Sequence, residues 1–317
     1  MPRSHKGVAM EGKYRELHRL LLWRQLSQSW DPRREFPREQ PLYLEIGFGN
    51  GEYLLRQAQD RPQHNFLGIE MHWGSVRRCL RRLAQAACQN VRVLQMDAQV
   101  GVRYLLPDAC IEQFVALFPC PWPKREHERF RLFSTEFMGQ LNRICRSGGL
   151  VVTDHRGLME FARAQVDGSG LGLEVIETEA RYNTKYERRW SGQGQEIFFE
   201  LHYRPIGPSP SKQIPEATVQ TLILNEFNPD TLVLEGCQAG LVIQFRQHVY
   251  DPKREMCLIL VTVVEDQLNQ TFWIEVTRKE DGLWHIRPAL GGGYLPTVGV
   301  QRALELVQQA GQAVQTR

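Results

Sequence analysis

Short apolar runs alternate with segments of helical period over the first two thirds of the chain. Leu42-Tyr43-Leu44, with Ile46 after one acid, reads as a strand buried on both faces. Glycines follow at 47, 49 and 51, then helix-compatible residues from Glu52 to about Asp60, where Arg61-Pro62 breaks the pattern. Asn65 to Glu70 reads as a second strand and His72 to Cys88 as a long helix. Val91 to Gln95 and Phe114 to Phe118 are the third and fourth strands. Ser134 caps a helix that runs to Cys145 and ends at Ser147-Gly148-Gly149. Leu150 to Thr153 is the fifth strand, Leu158 to Val166 a helix, and Glu174 to Thr178 and Ile197 to Tyr203 the last two strands. Strands alternating with helices in this way predict an α/β domain built on a parallel sheet.

The pattern changes at Pro205 to Pro215, a proline-rich stretch expected to act as a semi-rigid linker over 205–216. Beyond it, 217–317 is expected to form a small α+β domain. Its strands are expected at Leu232–Leu234, Leu241–Tyr250, Met256–Glu265, Thr271–Arg278 and Leu283–Arg287, with Asp281-Gly282 as a hairpin turn and a closing helix at Val298–Ala310. No catalytic constellation stands out in it. Ahead of the α/β domain (41–204), residues 1–40 form a basic arm with an expected helix from Tyr14 to Gln28, either packed on the main domain or holding an RNA backbone.

Charge adds one asymmetry. The net charge is +3, but residues 1–204 carry 30 lysines and arginines against 24 acids, and residues 205–317 carry 9 against 12. A nucleic-acid footprint is therefore expected on the first part. The seven cysteines are scattered, odd in number and without a C-x-x-C pair, which argues against a zinc or disulfide framework and for a reducing cytoplasm. No run approaches the ~18 apolar residues of a membrane span, and the N-terminus lacks a secretory pattern. A monomer is the expected state.

The chemistry starts at the glycine turn. Its spacing is G-x-G-x-G, with Glu45 at the strand end. A pyrophosphate is poorly served by a carboxylate there; a cation is well served. The pattern points to S-adenosylmethionine, a sulfonium without phosphates. Glu70, at the tip of the second strand, stands where this architecture bonds a ribose diol. Asp97-Ala98, after the third strand, stands where an acid or amide meets an adenine amino group. The fourth strand ends in Phe118-Pro119-Cys120-Pro121-Trp122-Pro123-Lys124-Arg125-Glu126-His127. Three prolines in five residues stiffen this loop. Trp122 stacks on a base or fills a packing gap; Lys124 and His127 meet phosphate or base. The fifth strand ends in Thr153-Asp154-His155, and 183–190 reads as a polar, aromatic, basic loop suited to nucleic acid. Arg77, Arg78, Arg81 and Arg82 lie on adjacent helical faces with no acid between Met71 and Arg92. They form a solvated face or a phosphate-binding one.

Taken together, the glycine turn, the Phe-Pro-x-Pro-Trp-Pro-Lys-x-x-His block and Thr184-Lys185-Tyr186-Glu187 resemble the bacterial tRNA (guanine-N7)-methyltransferases over about residues 40–204. The resemblance implies a class I, seven-stranded Rossmann-like methyltransferase fold. It also implies S-adenosylmethionine as methyl donor and a guanosine of the tRNA variable loop as substrate. It implies that Glu45, Gly47, Gly49, Gly51, Glu70, Asp97 and Ala98 serve the donor. Lys124, His127, Asp154, Thr184, Lys185, Tyr186 and Glu187 would serve the substrate. Cys120 takes the place of the family's active-site aspartate, so the resemblance puts it at the reacting centre, beside the donor. The likeness is not expected to reach the C-terminal domain. Two other readings compete: a tRNA-binding pseudoenzyme that keeps the donor site, and a cytosine-C5 methyltransferase with Cys120 as nucleophile.

Overall fold

The computed structural model describes residues 17–26, 30–194, 196–214, 217–237 and 240–313. They fall into two compact units, one holding 17–23 and Trp30–Ile214, the other 24–26, 217–237 and 240–313.

The first unit is built on strands β1 (Leu20–Leu21), β2 (Leu42–Ile46), β3 (Asn65–Glu70), β4 (Val91–Gln95), β5 (Gln113–Leu117), β6 (Gly149–Thr153), β7 (Leu171–Thr178) and β8 (Phe198–Pro205). They form one sheet in the order β1-β4-β3-β2-β5-β6-β8-β7. Neighbours from β1 to β6 pair parallel; β8 enters antiparallel between β6 and β7. Among the described residues, the helices that accompany it are α1 (Glu52–Asp60), α2 (Trp73–Gln85), α3 (Ala98–Val100), α4 (Thr135–Ile144), α5 (Arg156–Gln165) and α6 (Lys185–Ser191). Buried on both sheet faces, β3 and β4 have almost no exposed side chain, and their Val, Ile, Leu and Phe content follows from that. Helix α2 turns Val76, Cys79, Leu80 and Leu83 inward at helical spacing, and its arginines fall on the other side.

The fold departs from the sequence reading in places. The helix predicted from Tyr14 to Gln28 is absent from its described part. There Leu20 and Leu21 pair with Val93 and Leu94, adding an eighth strand to the expected seven. A free edge with unpaired amides next to two leucines supplies hydrogen bonds that a lone helical turn lacks. Residues 183–190 are not a loop throughout: Thr184 caps α6, its side chain accepting from Glu187 N at 3.2 Å. The proline stretch is tied to the α/β domain by hydrogen bonds. Ser209 Oγ donates to Gly139 O at 2.6 Å, Asn142 Nδ2 to Gly207 O at 3.2 Å, and Ile206 N to Gly170 O at 3.0 Å. Polar groups packed against the domain need partners, and α4 with the turn before β7 provides them.

The second unit is an antiparallel sheet of β9 (Leu222–Leu224), β10 (Leu241–Asp251), β11 (Met256–Glu265), β12 (Leu268–Arg278) and β13 (Trp284–Pro288), ordered β10-β11-β12-β13-β9. Alternate residues Cys257, Ile259, Val261 and Val263 of β11 join Val300, Ala303, Leu304 and Val307 of helix α7 (Val298–Ala313) in one core. Residues 232–234 form no strand; Leu222–Leu224 closes the sheet instead, pairing with β13.

Gly51 shows how tightly the first crossover is built. It sits at φ +75°, and a Cβ there would lie 2.8 Å from Cys79 Cβ on α2. Gly51→Ala is expected to cost about 2–4 kcal/mol, combining left-handed strain with overpacking. Thermal unfolding checks this; an unchanged Tm would mean that α1 and α2 part more easily than their packing implies.

Candidate active site

The order of strands reverses between β2 and β5, so a crevice opens beyond their carboxyl ends, where ligands bind in sheets of this kind. All the loops that follow β2 to β6 reach this edge. The turn after β2 takes positive φ at Gly47 (70°), Gly49 (55°) and Gly51 (75°). Cβ atoms built on Gly47 and Gly49 would meet nothing within 4 Å, so bare backbone faces the crevice. Gly51 differs from both, because its missing side chain makes room for α2.

Glu70 holds this turn in place. Its Oε2 accepts from Gly49 N at 3.0 Å and its Oε1 from His72 N at 2.9 Å. The carboxylate expected to meet a ribose thus also fixes the backbone of the turns after β2 and β3. Glu45 is 5% exposed, and its Oε2 has no hydrogen-bond partner among the described residues. Burial pushes its pKa up to about 8; Arg56 opposes the rise and Glu70 adds to it. A buried, unpartnered carboxyl beside uncovered glycine backbone fits a cationic nucleoside such as S-adenosylmethionine.

The crevice is closed on the other side by α6. Glu45, Gly47 and Gly49 line the same cleft as Thr184, Lys185 and Tyr186, with Ser75 and Arg78 at the start of α2. Sequence distance concealed this meeting, and so did the residues that enforce it. Glu52 pairs with Arg82 of α2 at 3.0 Å and Arg188 of α6 at 2.9 Å. Arg56 donates to Tyr182 O. Glu187, 2% exposed, accepts from Arg181 N at 2.8 Å and Tyr182 N at 2.9 Å. Below them the fully buried Glu200 takes hydrogen bonds from Tyr182, Arg181 and His202. Glu187 Oε1 is therefore engaged by the backbone of its own loop. The scattered Glu52, Arg56, Arg181 and Glu200 carry no motif, and only an acid three residues after a threonine hinted at the α6 cap.

The loop after β5 is strained and anchored. Phe118 (φ 54°) and Trp122 (φ 43°) are both left-handed, as is Asn183 (φ 48°) ahead of α6. Such backbone persists where the surroundings enforce it. The buried Arg131 does so here, donating from Nε to Pro121 O at 2.9 Å and from Nη2 to Trp122 O at 3.3 Å. Trp122, half-buried, packs against His127 and Phe130, with ring centroids 5.7 and 5.4 Å apart. Cys120 and Lys124 stand exposed on this loop, and His127 is half-buried.

Two further candidates lie at the same edge. Asp97 is exposed, and its Oδ1 accepts from Gln99 N at 2.7 Å, capping α3, which Ala98 opens. Asp154, half-buried, leads into α5, whose cap is His155. None of Asp97, Ala98, Cys120, Lys124, His127 or Asp154 belongs to the lining of the glycine-turn cleft; they surround it on neighbouring loops.

The sequence is similar to those of known proteins. A family model described as a putative methyltransferase matches residues 39–200. The chain is 32% identical to the tRNA (guanine-N(7)-)-methyltransferase of Thermus thermophilus, over 80% of this chain and 85% of that protein. To the enzyme of the same name from Deinococcus radiodurans it is 30% identical, over 88% of this chain and 92% of that protein. To that of Chlorobium phaeobacteroides it is 37% identical, over 50% of this chain and 78% of that protein. Alignments covering 80% and 88% of the chain must run past Ile214, so the likeness extends into the second unit, against expectation. With the glycine-turn sheet inside the family match and a relative matched over most of its length, the chain belongs to the tRNA (guanine-N(7)-)-methyltransferase family.

Proposed function

We propose that this protein transfers a methyl group from S-adenosylmethionine to N7 of a guanosine in the variable loop of tRNA. The observation that carries the reading is the cleft at the sheet's switch point. There bare glycine backbone and the unpartnered Glu45 carboxyl face Thr184, Lys185 and Tyr186. Relatives named as tRNA (guanine-N(7)-)-methyltransferases support it over most of the chain. Gly47, Gly49 and Glu45 would hold the donor, with Glu70 keeping the turn in shape and Asp97 and Ala98 at its far end. When bound, S-adenosylmethionine supplies a methyl carbon made electrophilic by the sulfonium.

What the chain must add is modest. Guanine N7 carries a lone pair and no proton, so the reaction needs no general base. It needs alignment, and exclusion of wrong orientations. The stiffened Pro119-Cys120-Pro121 loop, two residues beyond the cleft-lining Leu117, and the capped start of α6 would serve as positioning elements. Lys124, His127, Lys185 and Tyr186 are the exposed or half-buried groups there that can meet the RNA. Cys120, where relatives of this family are expected to have an aspartate, would serve position and not proton transfer. The tRNA substrate places this work in the cytoplasm. Among the described residues, no helix is long and apolar enough to cross a membrane.

Glu45 makes the donor site pH-dependent. Its carboxyl is protonated in the free protein up to about pH 8, although an ordinary glutamate ionises near 4.5. A sulfonium favours the ionised form, so donor binding below pH 8 should release a proton, and affinity should rise with pH until it levels above about 8. Calorimetry in buffers of different ionisation heat reads this directly. The same shift acts on stability. The raised pKa contributes stability below pH 4.5 that is lost as pH climbs to about 8, so Glu45→Gln should gain on the parent over that range, by a few kcal/mol (~1.4 per pKa unit). No proton release and parallel stability curves would remove Glu45 from the donor site.

Cys120 separates positioning from nucleophilic catalysis. Cys120→Asp should retain guanine-N7 activity at or above the parent level, and RNA carrying 5-fluoropyrimidines should trap no covalent adduct. Nucleoside mass spectrometry of treated tRNA reads the first outcome and denaturing gels the second. An adduct would assign the protein to pyrimidine C5 chemistry; two inactive proteins with intact donor and tRNA binding would make it a pseudoenzyme.

A further inference from the structure

One exposed charged face takes no part in the site described above. Helix α2 begins beside the cleft, with Ser75 and Arg78 in the cleft lining. From its first residue, Trp73, Arg77 and Arg81 follow at intervals of four, so they form one line along the helix, about 12 Å long at 1.5 Å per residue. Trp73 is 44% exposed and Met71 before it 55%. Arg77 and Arg81 are exposed, and among the described residues neither has an acidic partner. The neighbouring Arg82 is different: Glu52 neutralises it.

This arrangement is unusual for a merely solvated face. A solvated helix face commonly interleaves acids and bases four residues apart, because like charges at that spacing repel. Here Arg77 and Arg81 are such a like-charged pair, and no acid occurs between Met71 and Arg92 to relieve it. A line of bare guanidinium groups headed by an exposed indole matches single-stranded or looped RNA, whose phosphates take the cations and whose bases stack on an aromatic face.

We infer that the Trp73–Arg77–Arg81 line of α2 is an RNA-docking strip, carrying the substrate backbone up to the cleft with Trp73 as a stacking platform. The inference rests on the tRNA reading above and adds to it the surface that holds the polyanion. Guanidinium groups suit this better than ammonium groups, since their planar fork meets phosphate oxygens in pairs.

The test is a titration of bulk tRNA by fluorescence anisotropy at salt from about 50 to 200 mM. The proteins compared are the parent, Arg77→Gln/Arg81→Gln, Trp73→Ala, and Lys253→Gln/Arg254→Gln. The last removes the same charge from exposed sites in the second unit. Arg77→Gln/Arg81→Gln is expected to weaken binding at least about tenfold and make the slope of log K against log salt shallower by about 2, one per phosphate contact. Trp73→Ala should weaken binding with the slope unchanged. Lys253→Gln/Arg254→Gln should bind like the parent. Calorimetric affinity for S-adenosylmethionine, unchanged in all four, shows that fold and cleft are intact. Parent-like affinity and slope in Arg77→Gln/Arg81→Gln would overturn the strip and leave the tRNA reading standing, with α2 a solvated face. Equal losses in the second-unit variant would overturn it as a net-charge effect. A parent that binds no tRNA would sink the functional reading, and the strip with it.

Discussion

Carboxylates that clamp backbone amides hold this structure together where its regular elements begin and end. A sheet satisfies its own backbone; a loop at a strand end does not, and an unpaired buried amide is costly. Glu70 satisfies the amides of Gly49 and His72. Glu187 does so for Arg181 and Tyr182. In the second unit Glu265 does the same for Gly299, while also accepting from Thr297, at the head of α7. Each acid sits on a regular element and reaches to a loop or to the first turn of a helix. Each carboxylate oxygen has two lone pairs, so one acid can fix two amides, through both oxygens as Glu70 does or through Oε1 alone as Glu187 does. The cleft walls owe their shape to Glu70 and Glu187 before any ligand arrives.

Charge is then distributed in depth. The floor of the cleft holds a carboxyl that burial keeps neutral until about pH 8, and the rim carries Arg78 and Lys185. Glu52 lies between these levels and joins them, pairing with one arginine from each flanking helix. An acidic floor suits a cationic nucleoside; a basic rim suits a polyanion. A methyl donor and an RNA can therefore occupy adjacent sites without competing for the same groups, which a reaction between the two requires. The left-handed residues Phe118, Trp122 and Asn183 gather on the loop after β5 and the approach to α6. Strain so placed sacrifices stability for the position of side chains, and Arg131 keeps it from relaxing at Trp122.

Much of this was legible along the chain. The β2 run, the glycines and Glu45 named a nucleotide-type crossover and a cationic ligand, because turn conformation and strand burial are local matters decided by neighbouring residues. Alternation of strand and helix specified the α/β class, and the change of pattern after Pro205 pointed to a second, small α+β unit. Residue identity also placed the candidate chemistry at strand ends.

Tertiary structure decided the rest. No local signal said that Leu20-Leu21 would abandon a helix to cover a sheet edge, since the edge is made by β4, far along the chain. None said that Leu222–Leu224 and not 232–234 would close the second sheet, because both runs are apolar and only register against β13 distinguishes them. The structural partners of Glu187 and Trp122 came to light for the same reason: which groups a side chain meets depends on what lies within its reach. The cleft itself is a long-range object, made where residues 45–49 meet 184–186 across more than a hundred positions of sequence. Local physics determined which residues could do the chemistry; packing between distant elements determined which of them are free to do it.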